Sequence, residues 1–190
     1  MPPTGSPLIA PLSLSNALTV LCALLCLWSA SPQASGGEWR LWRLAIPGAF
    51  AALVALMLLA GVFEATWQHD LEWVGALVAG AVIGRVRGSN LPIQVVLDRT
   101  LVRLPRSMDG AAVATGVVLL SLVDFTGAML RSPIVETQHV ASAAAFCAGF
   151  LGFKALALGL RSRRALRAAA ADAAWAFKAG RQSDTIRDRQ

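Results

Sequence analysis

Two ionisable side chains, Asp124 and Lys154, stand inside long apolar runs. Such residues are costly in lipid, and they commonly mark ion pathways or contacts between helices. Asp124 lies about 14 residues, or ~21 Å, from the basic end of its run, whereas Lys154 lies about six residues, or ~9 Å, from the same end of the next. We therefore predict no direct pair, with Lys154 reaching the interface. Asp124 either bonds Thr126 or a neighbouring helix, or relays protons or ions.

The three cysteines offer a second possible chemistry. Cys22 and Cys26 are four residues apart and share one face of a helix, and Cys147 lies in a later apolar run. A thiol pair of this spacing could serve redox or metal chemistry. No charged residue nearby would stabilise a thiolate, so we predict that the cysteines pack as small apolar side chains.

Two short polar stretches between apolar runs carry carboxylates and imidazoles, at Glu64, His69, Asp70, Glu136 and His139. Histidine and carboxylate side chains from two loops could hold a divalent metal. The HExxH pattern is missing, as are a nucleophile with its base, a phosphate-binding glycine loop and a haem-binding CxxCH. We predict solvated loop residues, no metal site and no catalytic residues; the sequence leaves any cofactor unknown.

The composition indicates which class of protein must position these groups. Of 190 residues 56% are hydrophobic and 15% charged, and the mean hydropathy is +0.59. A soluble domain carries roughly 25% charged residues to cover its surface. The net charge of +6 comes from basic residues that flank the apolar runs, where they orient helices in a bilayer. The composition favours an integral membrane protein and argues against nucleic-acid binding.

The apolar runs predict an all-α membrane protein of about five transmembrane helices, at residues 8–30, 44–63, 71–84, 110–130 and 140–160. Turn residues at Ser31–Gly37 predict the first helix break. The segment Ile93–Leu104 predicts a short hairpin or extended pair at the membrane surface. Residues 1–160 then form the bundle. Residues 161–190 form a basic, alanine-rich tail that is predicted to be a helix at the membrane surface. Gly180 is placed to cap this helix.

The third apolar run is short and rich in glycine. Gly75, Gly80 and Gly84 lie in it, and the last two have the GxxxG spacing that lets helices approach closely. We predict that these three glycines mediate helix packing.

Basic residues alternate between loops and so predict an orientation. The residues 64–70 contain no lysine or arginine, and 131–139 contain only Arg131. Because cytoplasmic loops are enriched in lysine and arginine, the N-terminus is predicted outside and the C-terminus in the cytoplasm of a bacterial inner membrane. The predicted cytoplasmic basic face comprises Arg85, Arg87, Arg99, Arg103, Arg106, Arg161, Arg163, Arg164 and Arg167.

Three segments resemble one family of membrane proteins. They are Arg43–Gly61, Gly80–Arg87 and Leu97–Ser107, which include a Gly-Arg pair closing a glycine-rich span and an extended basic segment that ends in Pro-Arg-Ser. Over residues 43–165 the chain is similar to the CcdC-like group of small bacterial inner-membrane proteins. The resemblance implies a fold of this kind and no particular activity. Asp124 stands where that group tends to carry a basic residue.

Three functions agree with these features. The first is an accessory or assembly subunit that packs against other membrane protein subunits, since small residues are plentiful and polar residues within the spans are few. The second is a small homo-oligomeric transporter or channel that uses Asp124. The third is a membrane thiol or metal-handling protein that uses Cys22 and Cys26. The first is the leading hypothesis, with the lipid bilayer and other subunits as partners.

Overall fold

A computed structural model of the chain describes residues 14–61, 67–92, 94–96, 101–130 and 134–187. Most of these residues are helical, as the sequence predicts. The elements in chain order are α1 (Leu14–Ala34), β1 (Gly37–Arg40), α2 (Leu41–Ala60), α3 (Trp67–Asn90), β2 (Gln94–Val96), β3 (Leu101–Leu104), α4 (Asp109–Leu130) and α5 (Thr137–Arg187).

Four of the helices are long and apolar enough to cross a membrane: α1, α2, α4 and the Thr137–Ala168 part of α5. Large apolar side chains such as Leu56, Leu119 and Leu156 are exposed on their outer faces, as lipid contact requires. Helix α3 does not meet the same hydropathy criterion, because acidic residues near its start and arginines near its end dilute its apolar centre. The chain therefore has the helices of a membrane protein, four by this measure against about five predicted.

The break after α1 falls late in the predicted linker. The helix continues through Pro32 as far as Ala34, and the chain then turns at Gly36 and Gly37, whose φ angles are +77° and +120°. Proline cannot donate to the carbonyl four residues earlier, at Trp28. The Ser31 hydroxyl donates to that oxygen instead, at 3.1 Å. The helix tolerates Pro32 because a side chain supplies the missing donor. Residues 8–13 of the predicted first span lie outside the described residues.

A second proline lies inside α2 and is accommodated in the same way. Pro47 leaves the carbonyl of Arg43 without its helical donor. The Gln33 side-chain amide donates to that oxygen at 3.1 Å. The Cys26 thiol donates to the carbonyl of Pro47 itself at 3.3 Å. These bonds tie the end of α1 to the first turns of α2.

The core lies where α1, α2, α4 and α5 meet. It is built mainly from small and β-branched residues, which permit close packing of helices. Its most deeply buried side chains include Val54, Val117, Cys26 and Ser121. The Ser121 hydroxyl donates to the carbonyl of Val117, so this buried polar group is satisfied within its own helix.

A small antiparallel sheet of order β1-β3-β2 closes one end of the bundle, which we call the sheet end. The predicted hairpin is present as β2 and β3, paired from Gln94 opposite Arg103 to Val96 opposite Leu101. The third strand, β1, was not predicted, and it pairs Gly37 with Leu104. Leu104 is buried against Leu44 and Leu158, which fixes the sheet to α2 and α5.

Helix α5 is a single helix of 51 residues that joins the fifth apolar run to the basic tail. The predicted cap at Gly180 is wrong, because α5 continues through that glycine to Arg187. A glycine inside a helix costs about 1 kcal/mol relative to alanine, and the flanking alanines are the strongest helix formers. The favourable neighbours outweigh one glycine.

Candidate functional site

Helices α3 and α5 approach each other closely along a row of glycines, which we call the seam. Gly80 lies against the backbone of Phe146, and Gly84 lies against the backbone of Phe150 one turn further along. A methyl group on either glycine would overlap the facing carbonyl oxygen. The seam therefore requires glycine at both positions, as expected from their GxxxG spacing.

The seam is longer than the GxxxG pair. Gly88 continues it, with its α-carbon facing the carbonyl of Lys154, and Gly149 of α5 packs in return against the carbonyl of Leu77. Both were missed in the sequence, although Gly88 follows Gly84 at the same spacing. Gly75 faces open space and takes no part in the seam, so its role in helix packing stays a prediction.

Polar contacts close the seam at the end opposite the sheet, which we call the histidine end. His139 Nδ1 lies 2.8 Å from Glu72 Oε1, and His139 Nε2 lies 3.6 Å from Glu136 Oε2. All three side chains are exposed. Among the described residues no group of three metal-ligating side chains is placed to hold an ion, and Glu64 lies outside them. This cluster links α3 to α5 across the surface.

At the sheet end an arginine of α5 holds the last turn of α3. Arg161 Nη1 donates to the carbonyl oxygens of Gly88 at 3.2 Å and Leu91 at 2.8 Å. The last carbonyls of a helix have no partner within it and carry the negative end of its dipole. The guanidinium satisfies two such groups at once. The sequence predicted Arg161 only as part of a basic face.

Lys154 points toward the sheet end, and its predicted reach to a membrane interface stays a prediction. Its ammonium group donates to the Ser107 hydroxyl at 3.5 Å and lies 5.9 Å from the Phe150 ring. Two cavities of about 30 Å³ adjoin it, each large enough for about one water molecule. This space can hydrate the ammonium group but cannot hold an organic substrate.

An ion pair beside Lys154 joins α3 to the start of α4. Arg87 donates to both carboxylate oxygens of Asp109, from Nε at 2.6 Å and from Nη2 at 3.4 Å. Both groups carry charge, so this is a charge-assisted pair between α3 and α4. Asp109 lies in the first turn of α4, where a carboxylate is favoured by the helix dipole.

Asp124 lies half-buried on α4 and has no hydrogen-bond or ion-pair partner among the described residues. The predicted bond from Thr126 is not made, because the Thr126 hydroxyl donates to the carbonyl of Leu122 at 2.7 Å. The ammonium group of Lys154 is engaged elsewhere. Asp124 is thus a carboxyl group within an apolar helix that no described residue of the chain bonds.

The cysteines are free thiols packed in or beside the core. Cys22 is 5% exposed and Cys26 is 0% exposed, and Cys147 packs against the same cluster. Burial of this degree limits access of solvent and reagents, which agrees with the packing role predicted for the pair.

The predicted basic face lies at or beyond the sheet end. Arg99 is outside the described residues, while Arg87 and Arg161 make the contacts given above. The remaining arginines are exposed, and they are Arg85, Arg103, Arg106, Arg163, Arg164 and Arg167.

No family model, curated protein or solved structure matches the chain. The resemblance to CcdC-like proteins stays a prediction. Three local features of this chain bear on its function: the glycine seam, the contacts at its two ends, and Asp124, which has no partner among the described residues.

Proposed function

We propose that the chain is a five-span membrane protein without catalytic chemistry that serves as an accessory or assembly subunit of a larger membrane complex. The observation that carries this proposal is Asp124, a half-buried carboxyl group on an apolar helix with no partner among the described residues. A polar side chain at membrane depth is costly unless another group bonds it. A helix of another subunit supplies that group.

Helix α3 is the fifth span in this proposal. Its 24 residues extend ~36 Å, which exceeds the ~30 Å hydrocarbon core of a bilayer. It is joined to α5 at both ends, by Glu72 to His139 and by Gly88 to Arg161. A helix packed along a membrane-spanning neighbour over this length crosses the same thickness. Its polar residues fall at the two interfaces, which explains its lower hydropathy.

The sheet end faces the cytoplasm of a bacterial inner membrane in this proposal. Arginines of three segments converge there, whereas carboxylates and imidazoles occupy the histidine end. Positive residues are retained on the cytoplasmic side. The N-terminus is then outside, and α5 projects its basic extension into the cytoplasm.

Helix α4 leaves much of its surface free for a partner near Asp124. Only 28% of its apolar part is buried within the described structure, the same share as in α1 and less than the 44% of α5. Leu119 and Leu122 are exposed on this helix. The interface therefore combines an apolar surface with one hydrogen-bonding carboxyl group, a combination that stabilises helix pairs in lipid.

The test replaces Asp124 and measures which proteins remain bound after purification in mild detergent, by quantitative mass spectrometry. Asp124→Asn keeps the hydrogen-bonding shape and should retain the partner. Asp124→Leu should lower its recovery roughly three- to thirtyfold, since an interhelical hydrogen bond in a membrane contributes about 0.6–2 kcal/mol. Thr126→Val is the matched control, because the Thr126 hydroxyl bonds only its own helix.

Two outcomes would contradict the proposal. One is recovery of the chain only as a homo-oligomer, which favours a transporter or channel. The other is unchanged partner recovery in Asp124→Leu. A proton relay has its own signature in proteoliposomes: Asp124→Asn would leave assembly intact and abolish proton flux, because an amide does not carry the proton.

A further inference from the structure

A groove of about 710 Å³ lies between α2 and α5 on the outer surface of the bundle. The two helices touch where Gly48 meets Gly152, and they separate from there toward the sheet end. The walls of the groove are apolar, with Ala45 on α2 and Leu156 and Leu160 on α5. Both leucines are about half exposed, so none of the residues that the structure describes covers the groove.

The floor of the groove is open because two residues of α5 lack side chains. Gly152 and Gly159 lie seven residues apart, two turns of helix, and both line the groove. A β-carbon built on either glycine meets no atom within 4 Å. These glycines differ from those of the α3–α5 seam, since close backbone packing does not require them. They leave space that a larger side chain would fill.

The mouth of the groove is positively charged. Arg40, the last residue of β1, and Arg163, on α5, line it at the sheet end. Both side chains are exposed, and neither makes an ion pair within the described part of the chain. Trp42 lies in the same mouth, with the Arg43 guanidinium 5.5 Å from its ring centre. Tryptophan and arginine are the side chains expected at the level of lipid headgroups.

We propose that this groove binds one anionic phospholipid, with its phosphate between Arg40 and Arg163 and an acyl chain along the glycine floor. The dimensions agree with this occupant. From Gly152 to Arg163 is 11 residues, or ~16 Å, and one leaflet of the hydrocarbon core is ~15 Å deep. The two guanidinium groups supply the charge complementary to the headgroup, and an acyl chain matches the uncovered apolar walls.

The proposal is tested by native mass spectrometry of the purified full chain with phosphatidylglycerol or phosphatidylcholine as the probe. The unaltered protein should retain one phosphatidylglycerol in preference to phosphatidylcholine. Arg40→Gln with Arg163→Gln should weaken phosphatidylglycerol retention roughly 30-fold, which corresponds to the ~2 kcal/mol expected from two arginines at an anionic headgroup. Arg164→Gln with Arg167→Gln removes the same charge outside the groove and should change retention little.

A second pair of variants tests the acyl-chain seat. Gly152→Leu with Gly159→Leu fills the floor and should reduce retention of phosphatidylglycerol at least tenfold without lowering the melting temperature, because both positions are open. Equal losses in the two arginine pairs would overturn the proposal in favour of general surface charge. A change of oligomeric state in the glycine variant with lipid retention intact would overturn it in favour of a helix of a second copy or partner. If the glycine variant does not fold, the arginine pairs alone decide.

Discussion

Replacing Gly84 with leucine should destabilise the folded chain by about 3 kcal/mol, at the upper end of what overpacking a close contact costs. Gly84 lies against the backbone of Phe150, and backbone cannot move aside as a flexible side chain can. The larger residue must push α3 away from α5, which is the helix that α3 packs against most closely. Unfolding of the detergent-solubilised protein, followed by circular dichroism against a denaturing detergent, measures the loss.

Gly75→Leu provides the matched control on the same helix. Gly75 faces open space, so the new side chain meets nothing in the described part of the chain, and the variant should be no less stable, with a gain of up to about 1 kcal/mol because leucine is a better helix former than glycine. Equal destabilisation by the two substitutions would contradict the account, because it would mean that insertion of a larger side chain anywhere on α3, rather than the seam, determines the effect.

Arg161→Met should lower stability by about 2 kcal/mol, because it leaves two carbonyls at the end of α3 without their donor. A hydrogen bond from a charged group contributes about 1.5–3 kcal/mol, and a long apolar side chain retains the packing of the arginine stem. The loss of stability should be greatest at the end of α3. Hydrogen exchange should quicken in the last turn of α3, around Gly88, before it changes elsewhere.

Arg164→Met removes an equal charge from an exposed position on α5, and it should leave exchange in α3 unaltered. Accelerated exchange in both variants would indicate that net positive charge at the sheet end, and not the two hydrogen bonds of Arg161, holds the turn.

Helix α3 shows which part of a helix hydropathy alone can predict. The apolar run predicts a helix at residues 71–84, and the structure contains one from Trp67 to Asn90. Hydropathy identifies the part that suits lipid, but a helix ends where its backbone groups lose their partners. Here Arg161, 70 residues away from Leu91, satisfies the last carbonyls and extends the helix. No local pattern encodes that contact.

The small sheet illustrates a second limit. Two β-branched or apolar runs on either side of Asp98–Thr100 predict the hairpin, because pairing within a hairpin is local. Strand β1 was assigned to a linker, since Gly37 and its neighbours read as turn residues. Its pairing with β3 joins segments more than 60 residues apart, and it depends on α1 and α2 having brought them together.

The sequence predicts some residues of the candidate site and not others, for a related reason. Asp124, Gly80 and Gly84 could be selected because a carboxyl group in an apolar run and a GxxxG pair are visible in one segment. The open glycines Gly152 and Gly159 could not, since the sequence does not show whether a glycine faces a neighbouring backbone or empty space. Only the relative placement of two helices distinguishes these cases.

Labelling of cysteines at the two ends of α3 tests the five-span arrangement most directly. Single cysteines are introduced as Asp70→Cys or Asn90→Cys, two exposed positions, in a chain whose native cysteines are replaced. A thiol reagent that cannot cross membranes should label position 70 in intact cells and position 90 only after the membrane is opened. Labelling of both positions from the same side would contradict the account, because α3 would then not cross the membrane.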